Sequence, residues 1–157
     1  MLPKIIRYWG AIGGVCDGTG IGEPLAYHLK ELFDRNNDGL VEAYKFKAAG
    51  DESKSKLGYL AYDFNHNDLI KVPKAPEDPD QLELWKELRW QVEHLTREAK
   101  RQQTINFYVP ANAEPRKPGH VPHDDLVMAL FLLMRAARNI DPNTGKATAF
   151  DREKSGV

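Results

Sequence analysis

Apolar positions along the chain change period several times, from alternation to three-and-four spacing and back, which predicts strand and helix segments joined by polar turns. Residues Ile12 to Cys16 form a small, apolar, glycine-interrupted run that ends at Asp17. A Gly18-Thr19-Gly20-Ile21-Gly22 turn follows, and Pro24 falls in the first turn of a helical segment. The pattern reads as strand, tight turn, helix. On that helix Ile21, Leu25, Leu29 and Leu32 recur at spacings of three and four, predicting one buried face, and Asn36 to Gly39 stops it. Val41 to Phe46 alternates as a second strand.

Ser53 to Phe64 has helical spacing, with Leu57, Leu60, Ala61 and Phe64 on one side. Asn65 to Asp68 is a turn before the short run Leu69-Ile70-Lys71-Val72, and Pro73, Pro76 and Pro79 end regular structure there. From Asp80 to about Arg101 the pattern is helical again, with a stripe of Trp85, Leu88, Val92, Leu95 and Ala99 that reads as core. Thr104 to Val109 alternates as a strand with Ile105, Phe107 and Val109 on one face. A loop rich in proline, glycine and basic residues runs to Pro122, and a helix follows from Asp124 to about Arg138. Leu126 to Met134 is apolar on every side, so that helix is expected to be covered around most of its circumference. The organisation expected is one α/β domain over residues 1–138 and a flexible tail over residues 139–157.

The composition is that of a globular protein: 157 residues, 41% hydrophobic and 29% charged, are enough for a real core. The longest unbroken apolar stretch, Leu126 to Met134, is far below the roughly 20 residues that cross a bilayer, and Met1-Leu2-Pro3-Lys4 lacks a signal-peptide layout. No membrane partner is expected. A single cysteine, Cys16, excludes an internal disulfide and a cysteine-built zinc site, and fits a reducing compartment. The net charge of −1 gives no whole-chain attraction for nucleic acid. Any DNA contact must then be local, at Lys54 and Lys56, at Arg97, Lys100 and Arg101, or at Arg116 and Lys117.

Three motifs dissolve on inspection. Asp34, Asn36, Asp38 and Gly39 match the opening of a calcium-binding EF-hand loop, but Lys45 stands where the bidentate Glu belongs. Gly18, Gly20 and Gly22 have the wrong spacing for a dinucleotide fingerprint, so a nucleotide-binding domain is a minor reading. Gly145-Lys146 lacks the P-loop's first glycine and its hydroxyl residue, since Ile140 and Ala147 occupy those places.

What remains is a pair of acidic sites: Asp17 at a strand's end, and Asp124-Asp125 after His123 at a helix start. Each has a structural alternative, because Asp17 can open an Asx-type turn and Asp124 can cap a helix. Together they suit a cluster of oxygen ligands for magnesium or manganese. Two such ions roughly 4 Å apart activate water and stabilise the leaving oxygen in phosphodiester cleavage.

The segments Val15-Cys16-Asp17-Gly18-Thr19-Gly20-Ile21-Gly22-Glu23-Pro24, Lys54-Ser55-Lys56, and Pro122-His123-Asp124-Asp125-Leu126-Val127-Met128-Ala129-Leu130 resemble the nuclease domain of phage large terminases. The resemblance runs from about Ile12 to Ala137, in order and spacing as well as in letters. It implies a ribonuclease H-like mixed sheet flanked by helices and a divalent-metal-dependent endonuclease acting on double-stranded DNA. It further implies that Asp17 is a metal ligand and catalytic residue, with Asp125, or alternatively Asp124, as another, and that Asp17 and Asp125 share metal. His123 would be a ligand or would sit beside the metals. In that family an earlier strand hairpin carries another catalytic Asp, so the chain is expected to lack the module's first strands. The terminase ATPase portion or an upstream chain would supply them, or self-association would cover the exposed surface. The resemblance implies the cytoplasm of a bacterial host as the setting. The alternative is an inactive prophage remnant that keeps the fold as a binding or structural module.

Overall fold

The computed structural model describes Tyr8 and residues 13–35, 41–46, 53–71, 74–100 and 104–138. The expected start of the first strand at Ile12, the stop at Asn36 to Gly39, the tail and residues 36–40 of the calcium-like loop lie outside the described residues. Among those described, the chain is mixed α/β, with helices and two small sheets. It divides into two units, residues 1–47 with 132–157, and residues 48–131.

In the first unit, strand β1 (Gly14–Asp17) pairs in parallel with β2 (Val41–Tyr44), in a register that sets Gly14 against Val41 and Asp17 against Tyr44. Parallel neighbours need a crossover, and helix α1 (Glu23–Arg35) supplies it. Between β1 and α1 the glycine-rich segment forms a short 3-10 turn over Gly20–Gly22. Gly20 has φ +60, and a Cβ at Gly22 would lie 2.9 Å from the Asp17 carbonyl oxygen, so the turn closes with glycine at both places.

The buried side of α1 is Ala26, Leu29 and Phe33, while Ile21 and Leu25 are exposed. This corrects the expected Ile21–Leu25–Leu29–Leu32 face. Ile21 belongs to the 3-10 turn, outside the α-helical register, and the small Ala26 lets the helix approach the sheet. Leu29, Phe33 and Val41 form a core with Cys16 packed against it, and that burial raises the Cys16 thiol pKa. Polar ties lock the turn: Gly18 N donates to Tyr44 O at 2.7 Å, and Phe46 N to Thr19 Oγ1 at 3.0 Å. Lys45 forms an ion pair with Glu23. Arg135 grips Glu42 through Nε and Nη2, the latter at 2.8 Å from Oε1, and its guanidinium lies 4.9 Å from the centre of the Tyr44 ring.

In the second unit, helix α2 (Lys54–His66) starts at Ser53, whose hydroxyl accepts from Lys56 N. Helix α3 (Pro79–Glu93) starts at Asp78, whose carboxylate accepts from Gln81 N, with Pro79 at the first helical position. Strands β3 (Thr96–Ala99) and β4 (Ile105–Tyr108) pair antiparallel. Helix α4 (Asp125–Arg138) follows, its residues to Phe131 falling in this unit.

The structure corrects the expected long helix over Asp80 to Arg101. It ends at Glu93, and Thr96–Ala99 is a strand whose backbone groups pair with β4. Cross-strand hydrogen bonds override the local helical spacing that Leu95 and Ala99 had extended. The stripe shifts as well, because α3 buries Trp90 and Gln91 while Val92 is exposed. In α2 the expected face holds, with Leu57 and Ala61 buried and Leu60 and Phe64 partly so. Burial of α4 is less complete than expected: Val127, Met128, Phe131, Leu132, Met134 and Ala136 are buried, but Ala129 and Leu133 are exposed. Among the described residues no helix is long and apolar enough to cross a membrane.

Helix α2 packs on β4 through Gly58, whose bare backbone receives the Phe107 ring, and Ile105 N donates to Ser55 Oγ at 3.1 Å. Phe107 in turn meets Phe131 edge-on at 6.3 Å. A Cβ on Gly58 would fall 2.0 Å from Phe107 Cε2, so the ring must move. Gly58→Ala is therefore expected to destabilise by about 1–3 kcal/mol through overpacking, despite the roughly 1 kcal/mol helix-propensity gain from alanine. Urea unfolding measures this, and a more stable variant would contradict the packing.

Candidate metal centre

Glu83, Glu87, Trp90 and Gln91 recur on α3 at spacings of four, three and one, so they share one face, and the loop from Val109 to Asp124 is fastened to that face. Arg116 bonds Glu83 Oε2 at 2.9 Å and Glu87 Oε2 at 3.3 Å, Lys117 lies 3.6 Å from Glu83, and Trp90 Nε1 donates to Glu114 O at 3.1 Å. The Arg116 and Lys86 hydrogen bonds hold the Glu83 carboxyl down at about 2, and Glu83 in turn raises the Arg116 pKa.

Gln91 is completely buried. Its Oε1 accepts from Leu126 N at 2.9 Å and Val127 N at 3.1 Å, two first-turn amides of α4 that have no partner inside the helix. That identifies the other end as the amide nitrogen, which donates to Glu87 Oε1 at 3.0 Å and faces His123 Nδ1 at 3.2 Å. His123 Nδ1 is thereby assigned as an acceptor, with the ring proton on Nε2.

His120 is held edge-on against Trp90, with ring centres 4.5 Å apart, and its side chain is 7% exposed. Its Nε2 lies 2.9 Å from Glu87 Oε2 and 3.0 Å from Oε1, while its buried Nδ1 has no hydrogen-bond partner among the described residues. His123 Nε2 lies 3.9 Å from Glu87 Oε1, and its Nδ1 is 3.5 Å from Asp125 Oδ2. Burial opposes ionisation of Glu87, but hydrogen bonds from Gln91 and His120 lead the effects that outweigh it and lower its pKa. One donor atom each from Glu87, His120 and His123 lies within 4.8 Å of the others, so these residues form a group able to hold a metal ion.

The residues singled out in the sequence stand as follows. Asp17 ends β1 and is exposed, and its Oδ1 accepts from Thr19 N at 2.8 Å, so it does make the Asx-type turn. Asp124 does not present its carboxylate alone: Oδ2 is 3.2 Å from Lys54 Nζ. Capping of Leu126 N and Val127 N is performed by Gln91. Asp125 opens α4 with its side chain 84% exposed. Asp17 belongs to the first unit, and Asp124 and Asp125 to the second.

Of the basic candidates, Lys54, Arg116 and Lys117 face acidic partners, and Lys56 lies exposed in the first turn of α2. The ammonium of Lys54 beside Asp124 opposes a cation there. Glu87 and His120 escaped the sequence analysis. Their signal was the spacing His120-x-x-His123 beside a helix with acids one turn apart, which only the loop's path makes meaningful.

Comparison with protein-family models, curated proteins and solved structures finds no match to this chain.

Gln91→Met keeps the volume of the side chain but removes every hydrogen bond it makes. Leaving two helix amides unpaired is expected to cost about 2–4 kcal/mol. Chemical denaturation of the two proteins measures the difference, and a change below about 0.5 kcal/mol would show that the carboxamide is dispensable.

Proposed function

We propose that the chain is a nuclease module of a viral or prophage DNA-packaging terminase, with a ribonuclease H-like fold, that hydrolyses phosphodiester bonds in double-stranded DNA. The observation that carries the reading is the β1–turn–α1–β2 unit, a parallel crossover with Asp17 at the carboxyl end of β1 beside a glycine-closed turn. Ligands of open α/β sheets bind outside the carboxyl ends of the strands. The resemblance of this segment and of Pro122 to Leu130 to terminase nucleases adds the chemistry, with Asp17 and Asp125 as the catalytic carboxylates.

Magnesium or manganese, held by Asp17 and Asp125, would activate water and stabilise the leaving oxygen. Asp124 is the alternative ligand, and its pairing with Lys54 makes Asp125, with its exposed carboxylate, the better one. The partners in this reading are double-stranded DNA and the terminase ATPase portion or an upstream chain. A second reading, an inactive remnant that keeps the fold, draws on the ion pairs at Lys54, Arg116 and Lys117, which turn basic groups toward the protein's own acids.

The test is nicking of supercoiled plasmid with manganese, by the chain alone and with the terminase ATPase portion added, alongside manganese binding followed by electron paramagnetic resonance. The chain alone is expected to bind weakly and cut poorly. The combined protein is expected to cut, with Asp17→Asn and Asp125→Asn each lowering the rate by at least about 100-fold. Manganese binding and cutting that neither variant alters would contradict the reading. Binding without cutting in the combined protein would select the inactive alternative.

A further inference from the structure

We propose that Glu87, His120 and His123 form a second metal site, with Asp125 beside it, that takes a borderline transition-metal ion of the zinc class. This rests on no part of the nuclease reading. Two imidazoles and one carboxylate are the donor set that such ions favour, whereas magnesium and manganese prefer oxygen alone. In a tetrahedral site with bonds of about 2.0–2.1 Å, ligand atoms stand roughly 3.3 Å apart. Here His120 Nε2 and Glu87 Oε1 are 3.0 Å apart and His123 Nε2 and Glu87 Oε1 are 3.9 Å apart, and the three ligand atoms lie within 4.8 Å of one another, so an ion would draw the side chains inward.

The surroundings orient each ligand. Arg116 at Oε2 and Gln91 Nε2 at Oε1 hold the Glu87 carboxylate beside both rings, and Trp90 packs edge-on against His120. Asp125 Oδ2 lies 3.5 Å from His123 Nδ1. When Nε2 binds the ion, the ring proton moves to Nδ1, which exchanges the hydrogen bond received from Gln91 Nε2 for one donated to Asp125 Oδ2, the carboxylate–histidine–metal arrangement of many metal sites. On His120 the proton that Nε2 now donates to Glu87 moves likewise to Nδ1, so neither ring loses a net proton. The His123 side chain is 45% exposed, so solvent reaches the fourth coordination position, where water completes the shell. The ion would tie the His120–His123 end of the loop to α3, replacing the metal-free contact between Glu87 and His120.

The experiment uses chelator-treated full chain and zinc chloride. Imidazole nitrogen NMR of the parent is expected to show His120 and His123 shifting together up to one equivalent of zinc, while His28, His66 and His94 stay in place and magnesium moves none of them. By calorimetry, Glu87→Gln and His120→Gln are expected to weaken zinc binding by at least about 10-fold, and Asp17→Asn to leave it unchanged. Zinc shifts at the other histidines, or no shift at about 1 mM zinc, would overturn the proposal even if a variant failed to fold. Loss of manganese-dependent cutting by the Asp17→Asn chain combined with the terminase ATPase portion, with zinc binding by that chain intact, distinguishes this site from the proposed nuclease centre.

Discussion

A buried carboxamide governs how helix α3, the loop before α4 and the start of α4 fit together. Gln91 is fully out of water, and a polar group so placed is costly unless each of its hydrogen-bonding atoms finds a partner. Its oxygen takes two orphan amides at the start of α4, and its nitrogen faces Glu87 and His123. One side chain on α3 thus sets the start of α4, the tautomer of a histidine and the position of a carboxylate. Those constraints reinforce each other because a rotation of Gln91 would break all of them at once.

The consequences spread along the loop between β4 and α4. With the helix amides satisfied by Gln91, the Asp124 carboxylate can pair with Lys54. Glu83 and Glu87, successive turns of α3, draw in Arg116, Lys117 and His120, and Trp90 closes the sequence by bonding the Glu114 carbonyl while its ring meets His120. Most of the strength lies near Glu87 and His120, which are shielded from water; the pairs at Glu83 are exposed and contribute little to stability. A loop rich in proline and glycine thereby becomes a fixed platform for imidazoles.

Much of the first unit was legible from spacing alone, because its signals are local. A glycine-rich turn after an apolar run, proline in a first helical turn and an alternating run afterward each force one local conformation, and β1, α1 and β2 appear in that order. The buried face of α1 was less legible. Counting leucines passed over Ala26 and Phe33, whose burial depends on how closely the helix meets the sheet. The end of α3 was misjudged for a related reason: Thr96–Ala99 becomes a strand only because β4 is there to pair with it, a tertiary fact invisible in a window of neighbours. The Glu87–His120–His123 group was the least legible, since its members are 33 and 36 residues apart along the chain and meet through a loop path. The turn at Asp17 is legible as an Asx-type turn, and the Thr19 hydrogen bond realises it.

Amide hydrogen exchange at Leu126 and Val127 tests most directly the claim that Gln91 organises this region. First-turn helix amides with no side-chain partner exchange as readily as fraying ends. Because both donate to a fully buried oxygen here, they should instead exchange as slowly as the amides of Phe131 and Leu132 in the body of α4. Exchange at Leu126 and Val127 at the rate of an exposed chain end, with the body of α4 protected, would contradict the account.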